Sequence, residues 1–404
     1  MSSQVVITGV GVAAPNGLGA AHWWPATLSG KNGIGRITRF DPGPYPARLA
    51  GEVPGFNDAE HLPSRLLPQT DRVTRLALVA TDWALADAGV VPGELDAFDM
   101  GVITASAAGG FEFGQGELQN LWSRGSQFVS AYQSFAWFYA VNSGQISIRN
   151  GMKGPAGVVV SEGAGGLDAL AQARRQIRKG TPLIVSGAVD ASLCPWGWVA
   201  QLSTGKLSTS DEPARAYLPF DRDARGYVPG EGGAILITED ADAARARGAR
   251  SYGEIAGYGA TMDPRPGSGR PPGLAAAIRT ALADARLAPA DIDVVFADGA
   301  GDAAADRSEA DAISAVFGDR AVPVTVPKTM TGRLYSGGGP LDVAAALFTL
   351  RDGVIPPTVH VEPCRDYPLD LVLGQPRPAS VRTALVLARG SGGFNSALVV
   401  RATD

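Results

Sequence analysis

Short apolar runs and amphipathic segments alternate along the whole chain. Apolar side chains recur at helical spacing across residues 72–88, and Gly89 follows where a helix would end. The apolar run at 183–189 predicts a strand that is buried on both faces. The same patterns predict further strands at 4–12, 99–104, 157–160, 234–238, 293–297, 322–326, 383–388 and 397–401, and further helices at 167–179, 274–286, 308–317 and 341–350.

This alternation predicts an α/β fold with mostly parallel sheets that helices cover on both faces. The pattern begins again after a Gly- and Pro-rich loop at 263–273, which indicates two similar halves and an internal duplication. Residues 341–350 are nearly all apolar, so we expect this helix to lie between layers of the fold rather than at the surface.

Composition limits the classes of protein to consider. Of the 404 residues, 45% are hydrophobic and 19% are charged, which is sufficient for a large core. The net charge of −5 excludes the basic footprint of a nucleic-acid-binding protein. No apolar run reaches the ~18 residues of a membrane helix, and the N-terminus lacks the features of a signal peptide. We therefore expect a cytoplasmic protein with no membrane or nucleic-acid partner.

Side chains that commonly serve in catalysis or metal binding are scarce. The chain has only three histidines and two cysteines, and their spacing forms neither a metal-ligand set nor a nucleophile–base pair. We therefore expect no metal site and no cofactor, and we expect Cys194 to be a small buried apolar residue. The five residues are His22, His61, His360, Cys194 and Cys364.

A pair of glycines after the first apolar run invites a dinucleotide-binding interpretation. Gly9 and Gly11 stand at the right spacing, but Ala14 occupies the place of the third glycine and Asp41 lies too far along to bind a ribose. A tight structural turn is the favoured interpretation. A nicotinamide-dependent dehydrogenase remains a distant alternative.

Four segments spread along the chain carry more specific motifs. They are the turn at 14–17 (APNG), 219–232 (PFDRDARGYVPGEG), the lysine loop at 327–332 (PKTMTG) and the Gly-rich loop at 390–395 (GSGGFN), which contains Ser391 and Phe394. Together they resemble the β-ketoacyl synthases of fatty-acid and polyketide assembly over nearly the whole length. The resemblance implies a thiolase-like duplicated α-β-α-β-α layered fold with halves at 1–250 and 251–404.

The catalytic groups of that family are missing from this sequence. Active ketosynthases use a cysteine at a helix N-terminus, where the helix dipole favours its thiolate, and two histidines that stabilise the oxyanion. By local motif, Gly163 stands at the cysteine position, while Asp298 and Arg333 stand at the histidine positions; Lys328 is retained. Because Gly163 has no side chain, no covalent acyl-enzyme can form there, and no self-contained acyl-transfer activity is expected.

A ketosynthase-like chain without these groups is similar to the chain-length factors of type II aromatic polyketide synthases, also called ketosynthase β. Segments 134–148 (SFAWFYAVNSGQISI) and 331–340 (TGRLYSGGGP) resemble that subfamily closely. The resemblance implies a heterodimer with a ketosynthase α subunit and an acyl carrier protein whose phosphopantetheine arm delivers malonyl units. Chain-length factors usually carry glutamine where Gly163 stands, and Gly163 offers only a backbone N–H.

The same resemblance points to a tunnel gate at Phe111, Gly114 and Leu118. Their spacing of i, i+3 and i+7 places them on one helix face, although a stripe facing the core has the same spacing. Gly114 contributes no side chain, and Leu118 is smaller than an aromatic residue. We therefore expect a deep tunnel and a product longer than an octaketide, most simply a decaketide.

Three further expectations leave alternatives open. Asp298 and Arg333 form an ion pair in the vacated pocket, or each is separately solvated or paired elsewhere. The aromatic residues within 135–139 lie at the seam of a large dimer interface, or they belong to the core of the subunit. The alternative function is a stand-alone malonyl-carrier-protein decarboxylase that uses the helix N-terminus near Gly163 together with Lys328.

Overall fold

The computed structural model describes residues 4–265, 267–362 and 364–403. Within these ranges the strands are β1 (Val5–Ala14), β2 (Gly17–Leu18), β3 (Ile34–Arg36), β4 (Leu49–Gly51), β5 (Met100–Ala105), β6 (Ala156–Val159), β7 (Leu183–Asp190), β8 (Gly232–Asp240), β9 (Gly253–Met262), β10 (Val294–Phe296), β11 (Pro323–Thr325), β12 (Val354–Ile355), β13 (Asp370–Leu371), β14 (Arg377–Pro378), β15 (Thr383–Gly390) and β16 (Phe394–Arg401).

The α-helices of the same ranges are α1 (Ala20–Leu28), α2 (Asp58–His61), α3 (Arg72–Asp87), α4 (Phe111–Arg124), α5 (Gln133–Ala136), α6 (Val141–Asn150), α7 (Gly165–Ile177), α8 (Pro195–Leu202), α9 (Ala241–Ala246), α10 (Leu274–Ala285), α11 (Ala303–Phe317) and α12 (Gly338–Asp352). Every helix and strand predicted from the hydrophobic pattern is present, with ends displaced by a few residues. The central strand β9 was not predicted.

The long strands form one mixed sheet in the order β13-β11-β10-β15-β16-β9-β1-β8-β7-β5-β6. The pairs among β7, β8, β1, β9, β16 and β15 are antiparallel, and only the outer pairs are parallel. The prediction of a mostly parallel sheet is therefore wrong at its centre. One physical reason is that residues 391–393 join β15 to β16 as a tight hairpin, which only antiparallel strands can accept.

The two parts of the sheet repeat the same plan. Strands β6-β5-β7-β8-β1 match β11-β10-β15-β16-β9 in order and direction. Helices α7 and α12 contact each other and strands of both parts, whereas α3 packs on β1 and α10 packs on β9. Residues 338–349 of α12 are all buried, as predicted for a helix between layers. The predicted α-β-α-β-α layering is thereby confirmed.

A residue-level repeat accompanies this duplication. A Cβ on Gly9 or Gly11 of β1 would lie 2.1 or 1.8 Å from a carbonyl oxygen of α3, and a Cβ on Gly257 or Gly259 of β9 would lie 2.2 Å from one of α10. These glycines allow each helix to approach its strand closely. The predicted tight turn at Gly9 and Gly11 is wrong, because both lie inside β1, where they pair with Ile237 and Ile235 of the antiparallel strand β8. The dinucleotide interpretation has no support from this setting.

No helix in the described part of the chain is both long and apolar enough to cross a membrane.

Candidate functional site

Gly163 lies in a short helical turn directly before α7. The preceding residue, Glu162, has a φ of 49°, which bends the chain sharply at this point. A Cβ on Gly163 would lie 2.4 Å from the carbonyl oxygen of Arg389 and 3.5 Å from Nη2 of Arg333. Position 163 at this helix N-terminus therefore carries no side chain, and the surrounding backbone would have to move to accommodate a Cβ there.

Asp298 and Arg333 form the ion pair that the sequence analysis offered as one of two alternatives. Nη1 of Arg333 donates to Oδ2 of Asp298 at 2.9 Å, and Nη2 donates to Oδ1 at 3.1 Å, so the contact is bidentate. Only 12% of the Arg333 side chain and 5% of the Asp298 side chain are exposed. The pair lies beside Gly163, since a Cβ at that position would lie 3.5 Å from Nη2 of Arg333.

Backbone groups of β15 complete the environment of this pair. The N–H of Arg389 donates to Oδ1 of Asp298 at 3.0 Å, and the carbonyl of Arg389 accepts from Nη2 of Arg333 at 3.2 Å. The guanidinium carbon of Arg333 also lies 5.7 Å from the ring centroid of Tyr227. The ion pair thus ties the loop after β10 and the loop before α12 to the end of β15.

Both members of the pair are charged. Burial by itself would raise the pKa of Asp298, but the positive charge of Arg333, with those of Lys328 and Arg389, holds that pKa below its ordinary value. Burial would lower the pKa of Arg333, but the Asp298 carboxylate raises it well above the ordinary value. Neither group is therefore placed to exchange a proton with a substrate near neutral pH.

Lys328 is neutralised by a second buried ion pair. Its Nζ donates to Oδ2 of Asp342 at 2.5 Å and to the carbonyl of Ala297 at 2.9 Å. Burial raises the pKa of Asp342, and the lysine only partly counteracts that increase. We call the space bounded by Gly163, Asp298, Lys328 and Arg333 the Gly163 pocket. Its cavity volume is about 10 Å³, which is no more than one water molecule needs, so a malonyl group has no room there.

Two carboxylates of α11 support the loop that carries Asp298. Glu309 accepts from the backbone N–H of Asp298 at 2.7 Å and of Gly299 at 2.9 Å, while Asp306 accepts from Gly301 at 3.1 Å. Asp306 also accepts from the N–H of Phe220 at 3.0 Å. Neither carboxylate was predicted from the sequence, where the only available signal was their i, i+3 spacing on one helix face.

Burial, with a smaller contribution from the nearby Glu309 carboxylate, raises the pKa of Asp306 to about 7 from its ordinary 3.8. Between these two values the folded chain holds the proton more tightly than the unfolded chain, so stability falls as pH rises from about 4 to 7 and then levels off. We expect Asp306→Asn to flatten this slope by up to about 1.4 kcal/mol per pH unit. Urea unfolding at several pH values between 5 and 8 measures the slope. An unchanged slope would contradict the raised pKa.

The Gly-rich loop packs against the turn that precedes α7. The N–H of Ser391 donates to Oε2 of Glu162 at 2.5 Å, which holds the loop against the turn before α7. Phe394 begins β16 and pairs with Met262 of β9. A shallow cavity of about 100 Å³ lies outside this contact, and Arg333 and Asp298 form part of its floor.

The predicted gate residues lie on α4, but their surroundings differ along the helix. The ring of Phe111 lies 4.6 Å from that of Trp196, centroid to centroid, and a Cβ on Gly114 would lie 3.0 Å from a carbon of the same indole. Leu118 is 38% exposed. The expectation of empty space at Gly114 is therefore wrong, because the Trp196 ring occupies it. The contribution of Trp196 was not predicted from the sequence, because this residue lies 82 positions after Gly114 in the chain.

The aromatic segment 135–139 is not part of the subunit core. Trp137 and Phe138 are 44% and 49% exposed, and Phe135 and Tyr139 are only partly buried. Trp122, at 83% exposure, adds a further aromatic ring on α4. Exposed aromatic rings of this size are typical of surfaces that another protein covers.

The histidines and cysteines play no part in the Gly163 pocket. His61 stacks on Phe56 with centroids 5.8 Å apart. Cys194 is buried, as predicted, and burial raises the pKa of its thiol to about 11. Throughout the described ranges, no group of three or more His, Cys, Asp or Glu side chains could hold a metal ion.

Comparison with known proteins agrees with this geometry. Residues 2–243 match the model of the β-ketoacyl synthase N-terminal domain, and residues 252–362 match that of the C-terminal domain. The chain is 62% identical over 402 residues to the tetracenomycin polyketide synthase ketoacyl synthase beta subunit of Streptomyces glaucescens, covering 99% of this chain and 98% of the relative. It is 34% identical to a 3-oxoacyl-[acyl-carrier-protein] synthase 2 of Synechocystis, covering 98% of either chain.

Solved structures give the same assignment. The ishigamide ketosynthase/chain length factor superposes with a TM-score of 0.90 at 28% identity. A type II polyketide synthase acyl-carrier protein in complex with its ketosynthase bound to the hexaketide superposes with a TM-score of 0.89 at 27% identity. Each comparison covers 100% of both chains. The predicted thiolase-like fold is confirmed, and the chain belongs to the β-ketoacyl synthase family, on its ketosynthase β branch.

Proposed function

We propose that this chain is the chain-length factor of a type II polyketide synthase, a non-catalytic subunit that acts through the shape of its tunnel. The observation that carries this proposal is the Asp298–Arg333 ion pair, which fills the pocket beside a helix N-terminus that has no nucleophile. A pocket of about 10 Å³ next to a neutralised Lys328 gives no support to a stand-alone decarboxylase.

The proposed partner is a ketosynthase α subunit that supplies the reactive cysteine. The exposed rings of Trp122, Trp137 and Phe138 support an interface on this side of the molecule, because a partner would remove a large apolar area from water. Malonyl units would arrive on the phosphopantetheine arm of an acyl carrier protein. The chain would work in the cytoplasm without a cofactor, as two domains at 1–250 and 251–404.

The tunnel would end at the face of α4 that carries Phe111, Gly114 and Leu118. Leu118 is open to the surface and lacks an aromatic ring, so a growing chain could pass further than in a factor with phenylalanine there. Trp196 forms the wall opposite Gly114. We propose a product longer than an octaketide, most simply a decaketide.

Reconstitution tests the function directly. We expect the purified chain alone to form no thioester adduct and to release no carbon dioxide from malonyl carrier protein, because it lacks a nucleophile and a vacant pocket. Together with ketosynthase α and the carrier protein, it should support a polyketide of decaketide mass. Intact-protein and product mass spectrometry measure both results. Carbon dioxide release by the chain alone would contradict the proposal.

A further inference from the structure

The first turn of α4 is held by a side chain from outside the helix. Gly110, which precedes α4, offers no side-chain hydrogen bond to the first turn. Instead, the N–H of Phe113 donates to Oδ2 of Asp71 at 2.7 Å. Phe113 is the third residue of α4, and a capping side chain normally accepts from the second or third N–H of a helix. Asp71 thus serves as the cap of a helix that begins 40 residues further along the chain.

Asp71 is at the same time the cap of its own helix. Its Oδ1 accepts from the N–H of Val73 at 2.8 Å, at the start of α3. The two oxygens of one carboxyl group therefore serve two helix N-termini. Burial raises the pKa of this group to about 7, although the hydrogen bonds from Phe113 and Val73 oppose that increase. Asp71 is 2% exposed, so water does not compete for either oxygen.

The packing around Gly110 explains why the cap comes from elsewhere. A Cβ on Gly110 would lie 2.2 Å from the carbonyl oxygen of Ala136 and 2.9 Å from Cβ of Asp71. A serine, threonine or aspartate at position 110 would therefore collide with its surroundings, and α4 cannot carry a capping side chain of its own. The N–H of Gly110 donates to the carbonyl of Trp137 at 3.1 Å, which places the aromatic segment at the same helix end.

We infer that Asp71 is a positioning residue that fixes the N-terminus of α4, so that product length depends on Asp71 as well as on the residues of the gate face. The inference rests on the proposed chain-length function. Phe113, whose N–H donates to Asp71, lies between Phe111, whose ring contacts Trp196, and Gly114, where a Cβ would lie 3.0 Å from the same indole. A displacement of the first turn would therefore move the tunnel wall without any change in the gate residues.

Asp71→Asn is expected to keep one of the two hydrogen bonds that Asp71 accepts and to remove the other. Asparagine caps a helix about as well as aspartate, so its single oxygen can keep the bond to Val73 and preserve α3. Its amide nitrogen would then face the N–H of Phe113, which loses its acceptor. Asp302→Asn is the matched control, because one oxygen of Asp302 accepts the N–H of Ala305, the third residue of α11, at 2.9 Å. Asp71→Ala removes both bonds.

The experiment uses the complex with ketosynthase α and measures hydrogen exchange and product masses. We expect Asp71→Asn to speed exchange in peptides covering 111–118 about fivefold, the factor for one lost capping bond, with α3 unchanged. The products should become a mixture of lengths that differ by two-carbon units. Asp302→Asn should leave both readouts unchanged, and Asp71→Ala should also speed exchange at the start of α3.

Unchanged exchange in α4 would overturn the inference, and so would faster exchange with the original single length. A failure of the proposed function is distinguishable, because the wild-type complex itself would then yield no polyketide. In that case the exchange rates still decide whether Asp71 holds α4, since they do not depend on any product.

Discussion

Asp298→Ala is expected to destabilise the protein by about 3 to 5 kcal/mol, because it leaves the buried guanidinium of Arg333 without its carboxylate. The side chain of Arg333 is 12% exposed, so water cannot replace the two lost hydrogen bonds. The backbone N–H of Arg389 loses its acceptor as well. Urea unfolding of the complex with ketosynthase α, the same partner being used for every variant, measures the loss.

Two controls identify the cause of that loss. Replacing both partners, as Asp298→Leu with Arg333→Met, should recover most of the stability, because no buried charge then remains unpaired. Asp242→Ala breaks an ion pair whose side chains are 73% and 90% exposed, and it should cost less than about 1 kcal/mol. If Asp298→Ala were as mild as Asp242→Ala, the pair would not be the buried contact described above.

Enlarging the gate face is expected to shorten the polyketide. A threonine at position 114 would place its Cβ 3.0 Å from the Trp196 ring, so the ring must move, and Leu118→Phe adds an aromatic ring at the open end of the same face. Gly114→Thr combined with Leu118→Phe should therefore shift the products towards an octaketide. Product masses from the complex with ketosynthase α and carrier protein measure the shift.

The same helix supplies the control for this prediction. A Cβ on Gly116 would meet no atom within 4 Å, and Gly116 is exposed, so Gly116→Ala adds a side chain to α4 away from the Trp196 contact. It should leave the product length unchanged. An unaltered length in the Gly114 and Leu118 variant would show that this face is not the gate.

The direction of the strands could not be predicted from the hydrophobic pattern. Buried runs such as 183–189 show that a strand is covered on both faces, but antiparallel strands between two helix layers are covered in the same way. Strand β9 escaped prediction because its glycines weaken the strand signal. Two of these glycines, Gly257 and Gly259, are required by the close approach of α10, which is a property of the packed molecule.

In the gate region, too, local structure could be predicted from the sequence but long-range contacts could not. The spacing of Phe111, Gly114 and Leu118 predicted a helix face correctly, because helical periodicity is local. The space at Gly114 could not be predicted, because it depends on an indole contributed by a distant helix. The hydrogen bond between Asp71 and Phe113 could not be predicted either, because the sequence around one residue contains no information about its contact with the other.

The residue types at positions 163, 298 and 333 follow from the sequence alone. A glycine at position 163 has no atom that could attack a thioester, and Asp298 and Arg333 cannot replace histidines, whatever the fold around them. The surroundings of these positions depend on the tertiary structure. Folding brings together residues that are tens of positions apart in the chain. Asp298 pairs with Arg333, Trp196 lies against Gly114, and Asp71 caps the start of α4. The local sequence does not specify these contacts, because they depend on how the helices and strands pack.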